Sequence, residues 1–305
     1  MITANTPLRV ALSGANGFLG SAVATALANS GYVVVPIRRG GAPGPEQIAW
    51  DGASVIAGDR LRSCDAVIHL AGAGIADKRW TQARMRELRD SRIIGTTAIA
   101  NLLAADPGRV QTLICASGSG WYGDRGDEVV NESAASGHGF LAELCRDWER
   151  ACDPARSVVR VVHLRLGIVL GAGGGALAKM VTPARWGMSG ALGSGQQWWP
   201  WIARDDAVAV MLHLLATTTL RGPINVVAPQ LVRQRELARA LAAACHRPAW
   251  GPPIPAWALR LLIGRMADEA LLCSARIEPA QLQASGFRWT LGELGSALAH
   301  EMPPS

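Results

Sequence analysis

Ser13-Gly14-Ala15-Asn16-Gly17-Phe18-Leu19-Gly20 is the stretch on which the reading of this chain turns. Ahead of it, residues 8–12 are short, apolar and preceded by a proline, the signature of a buried strand. Behind it, Leu19, Val23, Ala26, Leu27 and Ser30 recur at helical spacing until Gly31 ends the run. Glycines sit three apart at the junction of strand and helix. A pyrophosphate can rest there on the amides that open the helix, which predicts a nucleotide site at Gly14, Asn16, Gly17, Phe18, Leu19 and Gly20.

The same alternation continues outward. Residues 32–37, 66–70, 110–116 and 158–166 read as further strands, with helical stretches near 81–105 and 136–152. This predicts an α/β fold, a doubly wound Rossmann parallel sheet with helices on both faces and a smaller C-terminal substrate lobe. Gly171-Ala172-Gly173-Gly174-Gly175 breaks the pattern and marks the first excursion into that lobe. Residues 183–204, rich in Gly, Trp and Pro, read as loops. Asp205 is expected to cap a helix, residues 224–227 to add a strand, and the chain from 229 onward to be helix and loop. The expected division is 1–170 for the nucleotide domain, with 205–228 returning to it, and 171–305 for the substrate lobe.

At 305 residues and 49% hydrophobic, the chain can bury one large core or two modest ones. Its formal charge of +6 comes from scattered basic residues, with no block of five like charges. That describes a mildly basic enzyme surface, so no nucleic-acid partner is expected. The six cysteines (Cys64, Cys115, Cys145, Cys152, Cys245, Cys273) form no Cys-x-x-Cys pair and no metal spacing. Reduced thiols, no metal and a cytoplasmic location are the expectation. No apolar run reaches the roughly 18 residues of a membrane span and no secretory leader is apparent, so no membrane partner is expected. The oligomeric state stays open, a homodimer included.

The second strand ends in Arg38-Arg39, with no acid before Glu46. A carboxylate there would bind a ribose 2′-hydroxyl and repel a 2′-phosphate, whereas a guanidinium fork takes the phosphate. NADP(H) is therefore expected over NAD(H), held in part by Arg38 and Arg39. Leu70, Ala71 and Gly72 end another strand with small residues that let backbone approach the cofactor. His69 beside them reads as a packed core histidine.

Longer strings carry a resemblance. Ser13–Gly20, Leu70-Ala71-Gly72 and Ala116-Ser117-Gly118-Ser119-Gly120-Trp121-Tyr122-Gly123 are similar to the extended short-chain dehydrogenases/reductases. Ile75-Ala76-Asp77, Arg79-Trp80-Thr81, Ser91-Arg92-Ile93, Trp148-Glu149, Leu164-Arg165-Leu166-Gly167, Gly193-Ser194-Gly195-Gln196-Gln197-Trp198 and Ser285-Gly286-Phe287 narrow it. Together they resemble the atypical epimerase-like family that includes bacterial YfcH and the human short-chain dehydrogenase family 39U member. The resemblance spans nearly the whole chain and implies a Rossmann domain, NADP(H) and a C-terminal substrate lobe.

Short-chain dehydrogenases place Tyr-x-x-x-Lys on a helix, the tyrosine moving a proton and the lysine lowering its pKa. The only tyrosines here are Tyr32 and Tyr122, followed four residues later by Pro36 and Gly126. Phe140 or Leu141 stands in the tyrosine position, and Leu144 or Cys145 in the lysine position. Ser117 is the candidate hydroxyl for polarising a carbonyl or alcohol, or else an ordinary strand-end serine. Tyr122 is the candidate substitute acid, or else a packing residue. Arg92 stands where many extended relatives carry asparagine and is read as structural or cofactor-ordering. Trp198-Trp199-Pro200-Trp201 is read as a pocket wall or as packing between lobes, and Lys179, Arg185 and His138 as further cleft candidates. The leading function is an NADP(H)-dependent oxidoreductase or epimerase-like enzyme acting on a small molecule. The alternative is a cofactor-binding regulatory or scaffold protein without turnover.

Overall fold

Val10, Leu12, Ile68, Ile114 and Leu164 enter one apolar core, whereas Ala11, Val67, Leu113, Cys115 and Val161 enter another. Neighbours along each strand thus bury on opposite faces of one sheet, as a parallel sheet covered on both sides requires. The computed structural model describes residues 7–40, 44, 47–52, 58–248 and 251–302, so Glu46 lies outside the described residues. The elements are β1 (Arg9–Ser13), α1 (Phe18–Asn29), β2 (Val33–Arg39), β3 (Ile48–Trp50), α2 (Gly58–Arg62), β4 (Ala66–His69), α3 (Gln82–Ala105) and β5 (Thr112–Gly118). Next come β6 (Val129–Val130), α4 (Phe140–Arg150), β7 (Arg160–Leu166), β8 (Ile168–Leu170), α5 (Gly175–Arg185), β9 (Trp201–Ala203) and α6 (Arg204–Ala216). The chain ends through β10 (Gly222–Val226), α7 (Gln234–Ala244), α8 (Ala256–Ile263), β11 (Arg276–Ile277), α9 (Ala280–Ala284) and α10 (Leu294–Glu301).

Seven strands pair in the order β10-β7-β5-β4-β1-β2-β3, and every pairing in this sheet is parallel. The chain winds outward from β1 through β2 and β3, then crosses back to β4. That reversal opens a crevice beyond the C-terminal ends of β1 and β4, where doubly wound sheets bind ligands. Ser13 stands beside Ile37 on one side and His69 on the other. A separate core gathers Leu170, Leu177, Trp199, Trp201, Leu237, Leu241, Leu294 and Leu298 from the elements after β7. α6 packs its Ala207, Val208, Val210, Met211 and Leu214 against β1 and α1 in the first core. β10 then completes one edge of the large sheet.

Some expectations need correction. β3 is a strand of three residues, too short for any periodicity to announce. Residues 183–204 hold the end of α5 and all of β9, which pairs with β8. Asp205 lies inside the first turn of α6, and the residue before that helix is Ala203. All six cysteines are free thiols.

Candidate functional site

Three glycines shape the turn from β1 into α1, each for its own reason. Gly14 has φ +71°, and a side chain there would press on the Leu70 and Ala71 backbone at 3.1 Å. Gly17 precedes the helix in extended conformation, with no side-chain cap and no acidic residue in the first turn of α1. A Cβ on Gly20 would fall 2.0 Å from the Gly14 carbonyl oxygen, so only glycine lets the helix cross the strand end this closely. The opening amides of α1 have no intrahelical acceptor and lie at the positive end of the helix dipole. The turn before them lines a cleft of 1010 Å³ through Gly14, Asn16 and Gly17, together with Arg38, Arg39 and Trp50, and across it Leu70, Ala71 and Gly72.

The floor of this cleft is a hydrogen-bonded seam between β1 and β4. Ser13 Oγ accepts the amides of Leu70 and Ala71 at 3.1 and 3.2 Å, and lies 2.7 Å from His69 Nδ1. With both acceptor positions used, the hydroxyl donates to Nδ1, which places the imidazole hydrogen on Nε2. His69 is fully buried, and burial lowers its pKa to about 4. It is the packed core histidine of the sequence reading, with a structural task beneath the cleft.

Arg38 and Arg39 end β2, both exposed, and both line the cleft. Neither makes a hydrogen bond or ion pair among the described residues. Leu19, half-buried, joins the core beneath α1. The ring of Phe18 packs against the hinge, where a Cβ on Gly171, Gly174 or Gly175 would come within 2.8 Å of it. Arg92 is buried in α3, its guanidinium 5.0 Å from the Trp148 ring and donating to the Leu88 and Ala73 carbonyls. Burial pushes its pKa down to about 10. It also lies under Gly72, whose Cβ would meet the guanidinium carbon at 3.3 Å. Arg92 thus buttresses the backbone wall of the cleft from behind.

Ser117 and Tyr122 belong to a different set of residues. Ser117 is 3% exposed and donates to Glu149 Oε1 at 2.9 Å. Glu149, on α4, also binds Arg165 of β7 through both carboxylate oxygens, at 2.9 and 3.1 Å. Arg165 donates to the Tyr122 hydroxyl at 3.0 Å, and that hydroxyl donates to Asn225 Oδ1 at 2.6 Å. Burial would drive the Arg165 guanidinium down, but its hydrogen bonds and charge contact with Glu149 prevail and its pKa stands above the ordinary value. Burial raises the Tyr122 pKa. The reading of Tyr122 as a substitute acid in the cleft is therefore corrected: it has no exposed surface, and its hydroxyl is fixed inside the network. Ser117, likewise absent from the cleft lining, stands with its hydroxyl turned onto Glu149. In the sequence Glu149 and Arg165 stand out only as parts of longer matching strings, and Asn225 carries no mark of a site residue. A charged residue between apolar ones on β7 was the available signal.

At the start of α4, Leu141 gives its amide to Glu269 Oε2 at 2.8 Å, and Phe140 packs edge-on to Trp80. Cys145 is buried, which raises its thiol pKa to about 11. Trp199 and Trp201 are core residues, whereas the half-buried Trp198 lies between Arg233 and Arg276 and donates to Asp127. Packing wins over a pocket wall. Lys179 reaches the Ala76 carbonyl and Asp77, tying α5 to the loop after β4. Arg185 lines a separate cavity, and His138 is exposed.

Comparison with known proteins adds a second kind of observation. A family model described as "NAD dependent epimerase/dehydratase family" matches residues 10–227, and a "Domain of unknown function (DUF1731)" matches residues 254–301. The chain is 39% identical over 293 residues to the epimerase family protein MT2273 of Mycobacterium tuberculosis, covering 95% of this chain and 96% of that one. Its fold superposes on the crystal structure of human epimerase family protein SDR39U1 (isoform 2) with NADPH, at TM-score 0.87 and 30% identity over 97% and 99% of the two chains. A nucleoside-diphosphate sugar epimerase from Corynebacterium glutamicum matches at TM-score 0.81 and 33% identity, over 97% of this chain and 58% of that one.

Proposed function

Because the chain belongs to the NAD dependent epimerase/dehydratase family, we propose that its cleft takes NADP(H) and serves hydride transfer on a small-molecule substrate. The observation that carries this is the shared cleft: the glycine turn that leads into the uncapped start of α1 lines the same crevice as Arg38 and Arg39, neither of which is paired among the described residues. Amides at Phe18, Leu19 and Gly20 bind the pyrophosphate, and Asn16 and Gly17 lie beside it. Arg38 and Arg39 take the 2′-phosphate, a role favoured by the NADPH in the human relative's structure. Leu70, Ala71 and Gly72 form the opposite wall, with Arg92 holding it from behind. When bound, the nicotinamide supplies or accepts hydride at a carbonyl or alcohol carbon.

The proton side of the reaction departs from the family habit. Without Tyr-x-x-x-Lys, no phenol with a lysine partner is available to exchange the proton. Ser117 is the hydroxyl proposed to assist, after turning from Glu149 toward substrate. A second reading, a cofactor-binding regulatory protein without turnover, is favoured by the same contact: the Ser117 hydroxyl is already engaged by Glu149.

Calorimetric titration with NADPH and NADH tests the cofactor, and tighter NADPH binding is expected. Equal affinities remove the NADP(H) assignment. NADPH oxidation over a panel of aldehydes, ketones and nucleotide sugars separates the two functions. Turnover that disappears in Ser117→Ala supports the enzyme, and binding without turnover on every compound supports the regulator.

A further inference from the structure

Three side chains able to ligate a cation meet at the junction of α6 and α10. Asp205 stands in the first turn of α6, and His300 and Glu301 end α10. One donor atom from each lies within 4.8 Å of the other two, the one such group among the described residues. Asp205 and His300 are about half exposed, whereas the Glu301 side chain is 2% exposed.

Glu301 is the residue that asks for a ligand. Its Oε2 accepts the Ala172 amide at 2.6 Å, but its Oε1 is sealed from solvent and has no hydrogen-bond partner among the described residues. A buried carboxylate oxygen left in that state is costly unless a donor or a cation meets it. Arg204 is the charge nearest to it, and its ion pairs use the other oxygen of Glu301 and one oxygen of Asp205. It stands 3.7 Å from Oε2 of Glu301 and 3.5 Å from Oδ1 of Asp205, and it donates to the Ala172 carbonyl at 3.1 Å. Its guanidinium also lies over the Phe18 ring. One oxygen of each carboxylate is thereby left to other partners. For Asp205 this is Oδ2, at 3.0 Å from His300 Nε2. For Glu301 it is Oε1. Glu301 also lines a cavity of 500 Å³ together with Arg185, Cys245 and His246.

We propose that Asp205 Oδ2, His300 Nε2 and Glu301 Oε1 bind a divalent transition-metal ion, with water completing its shell. One imidazole and two carboxylates suit zinc or manganese, whereas magnesium favours an all-oxygen shell. The ion pins the end of α10 to the start of α6. Through Glu301 it also holds Ala172, whose amide that carboxylate accepts.

The test uses the full chain carrying Cys245→Ser, which removes the thiol lining the neighbouring cavity. Zinc chloride, manganese chloride and magnesium chloride are titrated by calorimetry, and zinc is located in crystals by anomalous diffraction. Zinc or manganese is expected to bind with one equivalent, with the zinc peak between the three side chains. Asp205→Asn and Glu301→Gln are expected to weaken binding about ten-fold or more. His300→Ala, at a half-exposed position, carries the same test if Glu301→Gln does not fold. Absence of saturable binding, a peak elsewhere, equal binding of magnesium, or unchanged affinity in the variants overturns the site. NADPH titration of the same samples is expected to match the parent protein, which separates failure of the metal site from failure of the cofactor cleft.

Discussion

Two regions at the C-terminal edge of one sheet treat their polar groups in opposite ways. Where β1 turns into α1, Gly14, Asn16 and Gly17 line a large cleft with Arg38 and Arg39, neither of which has a partner among the described residues. Between β5 and β7, Ser117, Glu149, Arg165, Tyr122 and Asn225 are buried, and each is engaged by another. Open groups advertise a ligand, because desolvating them without a partner would cost free energy on binding nothing. Closed groups advertise rigidity. The first region therefore reads as a binding site from its geometry alone, while the second holds the sheet, α4 and β10 in fixed register.

Breaking the closed region is expected to have the largest effect. Glu149→Ala leaves the Arg165 guanidinium buried with its principal partner gone, a loss of about 3–5 kcal/mol. Urea denaturation measures it, and a change below about 1 kcal/mol would mean that water replaces the carboxylate freely. The next largest effect comes from acid acting on the floor of the open region. His69 has its pKa lowered by burial from 6.5 to about 4, so the unfolded chain takes up this proton first. The stability from keeping His69 neutral is complete above pH 6.5 and is lost as pH falls toward 4, by up to about 3 kcal/mol. Protonated Nδ1 would also have to donate into a Ser13 hydroxyl that already accepts two amides. Urea midpoints followed from pH 7 to pH 4 report the loss, and in His69→Asn that portion of the slope disappears.

The contrast also explains what the sequence could and could not reveal. Gly14, Gly17 and Gly20 carry their meaning locally, since strand, turn and helix are contiguous and their spacing fixes where the amides face. Arg38 and Arg39 were readable for the same reason, being the last residues of a recognisable strand. Tyr122 was not. Its hydroxyl meets Asn225, 103 residues away, and nothing in either neighbourhood signals the pairing. Trp199 and Trp201 left two readings open, because an aromatic cluster looks alike whether it lines a pocket or fills a core, and the core reading is the one that holds. β3 escaped notice for having too few residues, although its Trp50 forms part of the cleft wall.

Smaller effects sharpen the open region itself. Gly20→Ala forces a methyl group to within 2.0 Å of the Gly14 carbonyl oxygen, so α1 must shift away from β1. A loss of about 1–3 kcal/mol is expected from the overpacking. The same shift withdraws the amides from the cleft, and NADPH binding measured by calorimetry should weaken with it. Unchanged NADPH affinity in a folded Gly20→Ala protein would show that these amides do not hold the pyrophosphate.

The smallest effect is expected at the arginines, and there the two neighbours separate. Both are exposed, so each contact with a 2′-phosphate is screened by solvent, and about a ten-fold change in affinity is the scale to expect. Arg39 runs along Gly52, where an added Cβ would lie 3.0 Å from its Nε, so its stem is already held against the loop after β3. No glycine among the described residues lies against Arg38 in this way. Arg38→Ala should therefore weaken NADPH while leaving NADH nearly unchanged, because NADH carries no 2′-phosphate. Arg39→Ala should weaken NADPH similarly, with an added loosening of the 50–52 segment detectable by amide exchange. Raising the salt from 50 to 500 mM should shrink the NADPH advantage in the parent protein and leave Arg38→Ala less affected. A parent preference that is insensitive to both arginines would move the 2′-phosphate contact elsewhere in the cleft, Arg86 of α3 being the next guanidinium on its wall.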